Sequence, residues 1–290
     1  MPTYDTPVPI SVSVELGVGD ISVDATDRTD TVVEVRPSDP SRAGDVAAAE
    51  QTRVDFSNGR LTIRVPRHWV QTTFRNRGDS VDVSVGLPAG SDVRADAGVA
   101  AIRCTGPAGD VRLQAGVGDI AVDQAAQLRL RSGAGDVSVG SVYGQAEVTS
   151  GAGLLSVESV DGDAVIKNTS GDIWIGAAGG DLRVNAANGS IAVGRSQAAV
   201  TAKTAHGDIS LGEITSGTIS VQTALGRIDL GIGDGVAAWL DLHTNFGHVR
   251  SNLPAAEPPV PGAEAVEIRA RTSYGDISVS RAARATRSGQ

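Results

Sequence analysis

Residues 167–211 read KNTSGDIWIGAAGGDLRVNAANGSIAVGRSQAAVTAKTAHGDISL, and the same unit occurs in them three times. The unit begins as KNTSGDI at Lys167, as NAANGSI at Asn185 and as KTAHGDI at Lys203, so it recurs every 18 residues. A fainter copy, residues 180–184, lies midway between the first two. A repeat of nine residues within a repeat of 18 predicts an array of stacked coils.

Apolar side chains alternate with small or polar ones after each turn glycine, as Ile173 and Ile175 do after Gly171. This alternation predicts strands with one buried face and one solvent face. Two such strands would close each coil, and successive coils would stack in parallel. We therefore predict an all-β fold, a parallel β-solenoid whose rungs contain about 18 residues and two short strands. A three-sided coil of 27 residues is the alternative, but the turn types alternate with period two.

Composition limits the classes of core and partner. The 290 residues include 36 Gly but only three each of Trp, Tyr and Phe, which predicts a thin aliphatic core. A net charge of −9 argues against nucleic acid and anionic membranes as partners. The single Cys104, in an inward apolar slot, excludes an internal disulfide. No signal peptide or transmembrane segment is visible, which predicts a cytoplasmic location, with a secreted or surface location as the alternative.

The repeat is irregular at both ends of the chain. Residues 1–90 read as irregular β rungs and a cap, with a polar loop at 37–51 and an insertion at 66–80. Residues 91–280 form the regular solenoid, and residues 281–290 read as a disordered basic tail. We expect the N-terminal part to cap one end of the solenoid and the last rung, with the tail, to cover the other.

Stacking would turn each position of the repeat into a column. The residue after the turn glycine is acidic at Asp20, Asp119, Asp136, Asp172, Asp208 and Asp276. A calcium ladder is one interpretation, since nonapeptide-repeat toxins also repeat every nine residues, but their G-G-x-G-x-D motif places the carboxylate differently. We favour the other interpretation, in which each Asp accepts backbone N–H groups of its own turn. No metal or cofactor is predicted.

Three arginines, Arg94, Arg112 and Arg129, would occupy one outward column on successive rungs. Guanidinium groups so close together need an anionic partner or acidic neighbours such as Asp92 and Asp110. The column is therefore a candidate site for an anionic polymer, and the alternative is a solvated stripe that compensates its own charge.

A second column contains both lysines of the protein, Lys167 and Lys203, separated by Asn185. Either lysine could pair with Asp172 or Asp208, as a catalytic pair or as a surface ion pair of little energy. No other arrangement of nucleophile, base or phosphate-binding loop is present, so we predict that the protein is not an enzyme.

Trp174 lies in the outward slot between Ile173 and Ile175, where other rungs have small residues. An exposed tryptophan on a floor of small residues predicts a stacking site for a sugar or for a side chain of a partner. In the alternative interpretation, the insertion at 66–80 folds over the indole and covers it.

The Gly-Asp-Ile-x-Val repeats identify a resemblance to a known family. They occur together with residues 166–168, NAANG at 185–189, TAKTAHGD at 201–208, AWLDLHTNFG at 238–247 and RTSYGDI at 271–277. With these segments the chain resembles a bacterial family of β-strand repeats of unknown function, often labelled as candidate adhesins. The resemblance covers nearly the whole chain. It implies a parallel β-solenoid and no catalytic residues.

These observations predict a non-enzymatic scaffold, or an adhesin-like protein, that presents a flat surface to a protein partner. A polysaccharide-binding or polysaccharide-acting β-helix protein is the alternative, by analogy of fold alone. A third hypothesis is a surface adhesin. The candidate binding residues are Trp174, Arg94, Arg112, Arg129, Lys167 and Lys203.

Overall fold

The chain forms two compact units, residues 1–153 and residues 154–290. The computed structural model describes residues 2–65, 79–253 and 265–282. The insertion predicted at 66–80 and the tail predicted at 281–290 lie mostly outside the described residues. The domain boundaries predicted after residues 90 and 280 stay predictions.

The first unit consists almost entirely of strands. Its elements are β1 (Thr3–Asp5), β2 (Ser11–Val18), β3 (Ile21–Thr26), β4 (Asp30–Pro37), α1 (Ala43–Gln51), β5 (Arg53–Ser57), β6 (Arg60–Arg64), β7 (Val81–Pro88), β8 (Asp92–Val99), β9 (Ile102–Val117), β10 (Ile120–Ala134), β11 (Val137–Val142) and β12 (Ala146–Ala152).

Parallel pairing builds most of this unit. β8, β9 and β10 lie side by side, and β9 and β10 each run through most of a rung, with a register shift between Val122 and Gln124. β2 lies between β6 and β8, and β3 lies between β7 and β9. The first rung of the chain is therefore enclosed by rungs that come later in the sequence.

Antiparallel strands replace the parallel arrangement at the start of the unit. β5 and β6 form a hairpin through Asn58 and Gly59, both with positive φ, and β4 pairs antiparallel with β1 and β7. In the described part of the unit, β1 and β5 each have a single neighbouring strand, so they are the outermost strands of its sheets.

The prediction of a loop at 37–51 is wrong, because this segment contains α1. The run Asp-Val-Ala-Ala-Ala-Glu at 45–50 favours helix through its alanines. Asp45 is completely buried in this helix, and its carboxylate accepts hydrogen bonds from the backbone N–H groups of Ser80 (3.1 Å) and Asp39 (3.2 Å). Within residues 2–65, 79–253 and 265–282, no helix has the length and apolar composition needed to cross a membrane.

The second unit is the regular part of the repeat. Its strands are β13 (Leu155–Val160), β14 (Ala164–Ser170), β15 (Ile173–Ala178), β16 (Leu182–Asn188), β17 (Ile191–Ser196), β18 (Val200–His206), β19 (Ile209–Ile214), β20 (Thr218–Leu225), β21 (Ile228–Ile232), β22 (Ala237–Phe246), β23 (Val249–Ser251), β24 (Ala265–Tyr274) and β25 (Ile277–Arg281).

These strands alternate between two parallel stacks. Even-numbered strands pair with even-numbered ones, and odd-numbered with odd-numbered ones. Leu182 lies beside Val200 in one stack, and Ile173 lies beside Ile191 in the other, so one rung is 18 residues. The predicted parallel β-solenoid with two strands per rung is confirmed, and the three-sided coil is wrong.

The order of the last rungs differs from their order in the sequence. β24 lies between β20 and β22, and β25 lies between β21 and β23. The expectation that the last rung covers the end of the solenoid is therefore wrong. This order completely buries Ile268 of β24, whereas the corresponding Leu240 of β22 is only half-buried. Among the described strands β22 has a neighbouring rung on one side only, so its apolar side chains are less well covered.

The cores of both units are aliphatic. Among the described residues, the buried hydrophobic side chains are Val, Ile, Leu and Ala, together with Cys104. Like side chains stack on like ones, as Ile173 does on Ile191. The predicted thin aliphatic core is confirmed, and aromatic side chains are left for the surface.

Candidate functional site

Turn glycines form a column at one corner of the second unit. Gly207, Gly226, Gly275 and Gly247 have φ values of +143°, +154°, +146° and +155°. A Cβ atom on Gly226 would lie 2.0 Å from the carbonyl oxygen of Gly207, one rung away. Both the backbone conformation and this close approach require glycine at the corner.

The residue before each of these glycines is exposed. The column that we call the corner ladder contains, in spatial order, His206, Leu225, Tyr274 and Phe246. Leu225 continues the inward phase of Val221 and Thr223, but it is the last residue of β20, next to the corner glycine, and its side chain is exposed. The exposed fractions of Leu225, Tyr274 and Phe246 are 53%, 55% and 64%.

The two aromatic members of the corner ladder stack face to face. The ring centroids of Phe246 and Tyr274 are 4.8 Å apart, and the ring planes differ by 7°. This separation equals the spacing of neighbouring strands, so the parallel sheet itself holds the rings in place. With Leu225, the rings form a continuous apolar surface across three rungs, and surfaces of this kind mark interaction sites.

Polar groups border this apolar surface. The residues that follow the corner glycines are Arg227, Asp276 and His248, all on the rungs that carry the apolar side chains. The Asp276 carboxylate lies 3.6 Å from His248 Nδ1 and 3.9 Å from the guanidinium of Arg250. An apolar centre with a charged rim is the usual composition of a protein-binding surface.

The aspartates after the turn glycines link neighbouring rungs. Asp172 Oδ1 accepts a hydrogen bond from the backbone N–H of Ser190 (2.8 Å), and Asp208 Oδ1 accepts one from that of Arg227 (2.7 Å). Asp119 makes the same contact with the N–H of Asp136 (2.8 Å) in the first unit. The prediction that each Asp bonds its own turn is therefore wrong, because the acceptor and the donor lie on different rungs.

Carboxylates do not stand on adjacent rungs in the described part of this column in the second unit. In spatial order, from the rung of Asp172, the column reads Asp172, Ser190, Asp208, Arg227, Asp276 and His248. Alternation separates the carboxylates by about 10 Å, two strand spacings, and so limits their repulsion. The strict alternation of Asp with other residues exists only in the spatial order, in which β25 lies between β21 and β23.

The pKa of Asp276 is lowered below its ordinary value. The largest cause is the hydrogen bond from the backbone N–H of His248, at 2.9 Å, and burial, the next largest influence, opposes it. The charges of His248 and Arg250 lower the pKa further. The ionised carboxylate is thus the form that links β25 to the edge rung.

Trp174 lies where the sequence predicts it, on the outer face of β15. Its neighbours across the strands are Ser156 and Ala192, and 47% of its surface is exposed. The indole extends over Gly176, since a Cβ atom there would lie 3.1 Å from Trp174 Cη2. The floor of small residues is present, whereas the cover of the alternative interpretation, the insertion at 66–80, lies mostly outside the described residues.

Arg94, Arg112 and Arg129 are brought side by side on β8, β9 and β10. Arg112 forms an ion pair with Asp110 (3.4 Å), and Arg129 forms one with Glu147 (2.8 Å). A groove of about 210 Å³ crosses these strands. It is lined by the side chains of Arg94, Asp96, Arg112, Gln114, Arg129 and Arg131.

Lys167 and Lys203 are exposed in one column with Asn185 between them. Neither lysine has its ammonium nitrogen within 4.0 Å of a carboxylate oxygen among the described residues, so neither forms an ion pair there. Asp172 and Asp208 instead bind backbone N–H groups, so the lysine–aspartate pair considered from the sequence does not form.

The remaining candidate groups do not assemble into a centre. Cys104 is completely buried, and burial, reinforced by Asp123 and Asp24, raises its pKa to about 12. His243 contacts Asn245 at 3.1 Å. In the part of the chain that the structure describes, no group of three or more His, Cys, Asp or Glu side chains could hold a metal ion.

The corner ladder was not among the residues predicted from the sequence. A signal for it exists, because the residue before the turn glycine is apolar in several copies. These residues are Val18, Val117, Leu225, Phe246 and Tyr274. The sequence does not show directly that Tyr274 lies between Leu225 and Phe246, because Phe246 comes before Tyr274 in the chain.

The rungs, the turn glycines and the stacked surface columns define a parallel β-solenoid repeat protein. The chain belongs to the Toastrack DUF4097 family, whose model matches residues 10–280. No protein with a curated description matches the chain.

Several solved structures are similar over nearly the whole chain. A candidate adhesin from Bacteroides fragilis is 16% identical, with 96% of each chain covered and a TM-score of 0.34. A candidate adhesin from Parabacteroides merdae is 12% identical, with 97% of this chain and 96% of that chain covered and a TM-score of 0.37. These similarities are too low to transfer a binding property to this chain.

Proposed function

We propose that this protein is a non-enzymatic β-solenoid scaffold that binds a protein partner through the corner ladder. The observation that supports this proposal is the exposed surface of Leu225, Tyr274 and Phe246 on three successive rungs. Large apolar side chains left exposed together are typical of protein interfaces, and tyrosine is among the residues that contribute most binding energy there.

Rigidity favours tight binding at this surface. The rings of Phe246 and Tyr274 are already stacked, and each belongs to the last residue of a paired strand. A partner would therefore lose little binding energy to the ordering of these side chains. We propose a partner with complementary apolar side chains at its centre and polar groups that match Arg227, Asp276 and His248 at the rim.

Site-specific photo-crosslinking tests the proposal. Phe246 is replaced by a photoreactive benzoylphenylalanine in the native host, and the same group is placed at Val117, which is similarly exposed in the first unit. We expect one discrete crosslinked protein from position 246, none from position 117, and loss of the product in the Tyr274→Ser variant. Equal products from both positions, or a product that Tyr274→Ser leaves unchanged, would contradict the proposal.

The absence of catalysis is part of this proposal, as is the cytoplasmic location predicted from the sequence. The candidate catalytic pair in the sequence is a lysine with Asp172 or Asp208. Because Lys167 and Lys203 form no ion pair with a described carboxylate, that arrangement gains no support. Cell fractionation with an antibody against the protein tests its location.

A further inference from the structure

We infer that the arginine groove of the first unit binds an anionic polysaccharide that carries one carboxylate on each sugar. The arginine groove is the open groove of about 210 Å³ that crosses β8, β9 and β10. This inference is independent of the corner ladder, because the two surfaces have no residue in common.

The charge of the groove favours an anion. Four guanidinium groups line it, from Arg94, Arg112, Arg129 and Arg131. Asp96 contributes one carboxylate to the lining, and three more carboxylates, those of Asp92, Asp110 and Glu147, lie at its border. The lining itself therefore carries four positive charges and one negative charge, in a protein of net charge −9.

The positive charge is concentrated at one side of the groove. Glu147 contacts both Arg129, at 2.8 Å, and Arg131, at 4.0 Å. Asp110 contacts Arg112 at 3.4 Å, and none of the described residues forms an ion pair with Arg94. Arg94 and Arg112 are thus the two groups whose charges an external carboxylate would best compensate.

The shape of the groove favours a linear ligand. Arg94, Arg112 and Arg129 pair in register on adjacent parallel strands, so their positions repeat about every 4.8 Å across the sheet. A chain that runs across the strands would meet one guanidinium group for each rung. Gln114, in the neighbouring outward column, adds an amide that can exchange hydrogen bonds with uncharged hydroxyl groups.

The repeat distance separates a polysaccharide from an acidic peptide. Side chains on one face of an extended peptide recur about every 6.8 Å, about 2 Å more than the spacing of the arginines. The third carboxylate of such a peptide would therefore lie about 4 Å away from its arginine. In a hexuronate chain each sugar ring brings one carboxylate, the rings repeat at about the spacing between rungs, and rotation about the glycosidic bonds can turn successive carboxylates to one side of the chain. The sugar hydroxyl groups also suit Gln114, because they can both donate to and accept from its amide, whereas a glutamate carboxylate only accepts.

Titration calorimetry with oligogalacturonates of one to six sugars tests the inference on the full chain at low ionic strength. We expect the affinity to rise with chain length up to three or four sugars and then to level off. Arg112→Gln, which removes the central charge, is expected to weaken binding of the trisaccharide about tenfold. The matched control is Arg183→Gln, an exposed arginine of β16 flanked by Val165 and Thr201, and it should bind as the unchanged protein does.

Three results would overturn the inference. The first is no heat of binding for any oligogalacturonate at low salt, while equal unfolding temperatures of Arg112→Gln and the unchanged protein show that both are folded. The second is a hexaglutamate that binds as tightly as the hexasaccharide and loses the same affinity in Arg112→Gln. The third is binding of sulfate alone with the affinity of the longer sugars. None of these results bears on the photo-crosslinking at Phe246, so the two proposals can fail separately.

Discussion

A single carboxylate can join two rungs of this fold, as Asp276 does with the backbone N–H of His248 at 2.9 Å. The same contact occurs at Asp119, Asp172 and Asp208. A carboxylate that accepts a backbone N–H is a charge-assisted hydrogen bond, stronger than one between neutral groups. At the scale of the residue, the column of aspartates is thus a set of links between rungs.

We predict that the Asp276 link makes stability depend on pH. Because its folded pKa lies below 3.8, the ionised carboxylate stabilises the folded state above the unfolded pKa, and this contribution is lost as the pH falls through the folded value. Urea unfolding of the protein and of Asp276→Asn should therefore differ at pH 7, and the difference should shrink as the pH falls below about 4.

His248→Ala is the matched control for this prediction. It keeps the backbone N–H that is the main cause of the lowered pKa of Asp276, and it removes only the imidazole. We expect this variant to retain most of the pH dependence. A difference between Asp276→Asn and the unchanged protein that stays constant from pH 7 to pH 2.5 would exclude the link.

At the scale of the element, each strand–turn unit depends on its corner glycine. We predict that Gly207→Ala destabilises the second unit by roughly 3–5 kcal/mol, from an unfavourable φ and from overpacking. The φ of Gly207 is +143°, and a Cβ atom would lie 2.1 Å from the carbonyl oxygen of Gly189. Chemical denaturation measures the loss.

Gly235→Ala separates the two causes. The φ of Gly235 is +79°, but no atom lies within 4 Å of the position of its Cβ. This variant should lose only about 1–2 kcal/mol, the cost of the left-handed conformation. Equal losses for Gly207→Ala and Gly235→Ala would show that the close approach of neighbouring rungs has no energetic role.

At the scale of the whole molecule, the stability of each rung depends on its place in the stack and not on its place in the sequence. β24 and β25 have a neighbouring strand on both sides, whereas β22 and β23 have one each in the described part of the second unit. We predict that the amides of β24 and β25 exchange with deuterated water more slowly than those of β22 and β23. Mass spectrometry of peptic peptides measures this order, and faster exchange in β24 would contradict it.

The repeat itself could be read from the sequence because every rung uses the same local rule. Alternation at Ile173 and Ile175 decides which face is buried, and Gly171 decides where the chain turns. The side-by-side placement of Arg94, Arg112 and Arg129 follows from the same rule, since one step of the repeat is one strand spacing. The segment 37–51 could not be placed in this way, because α1 lies outside the repeat.

The sequence by itself determined the parallel β-solenoid, its 18-residue rung and the outward position of Trp174, because short-range periodicity specifies them. Only the tertiary structure decided that β24 lies between β20 and β22. Every rung presents nearly the same pattern, so the pattern cannot select its own neighbours, and only contacts across the whole stack fix the order. That order stacks Tyr274 on Phe246 and creates the apolar surface on which the proposed function depends.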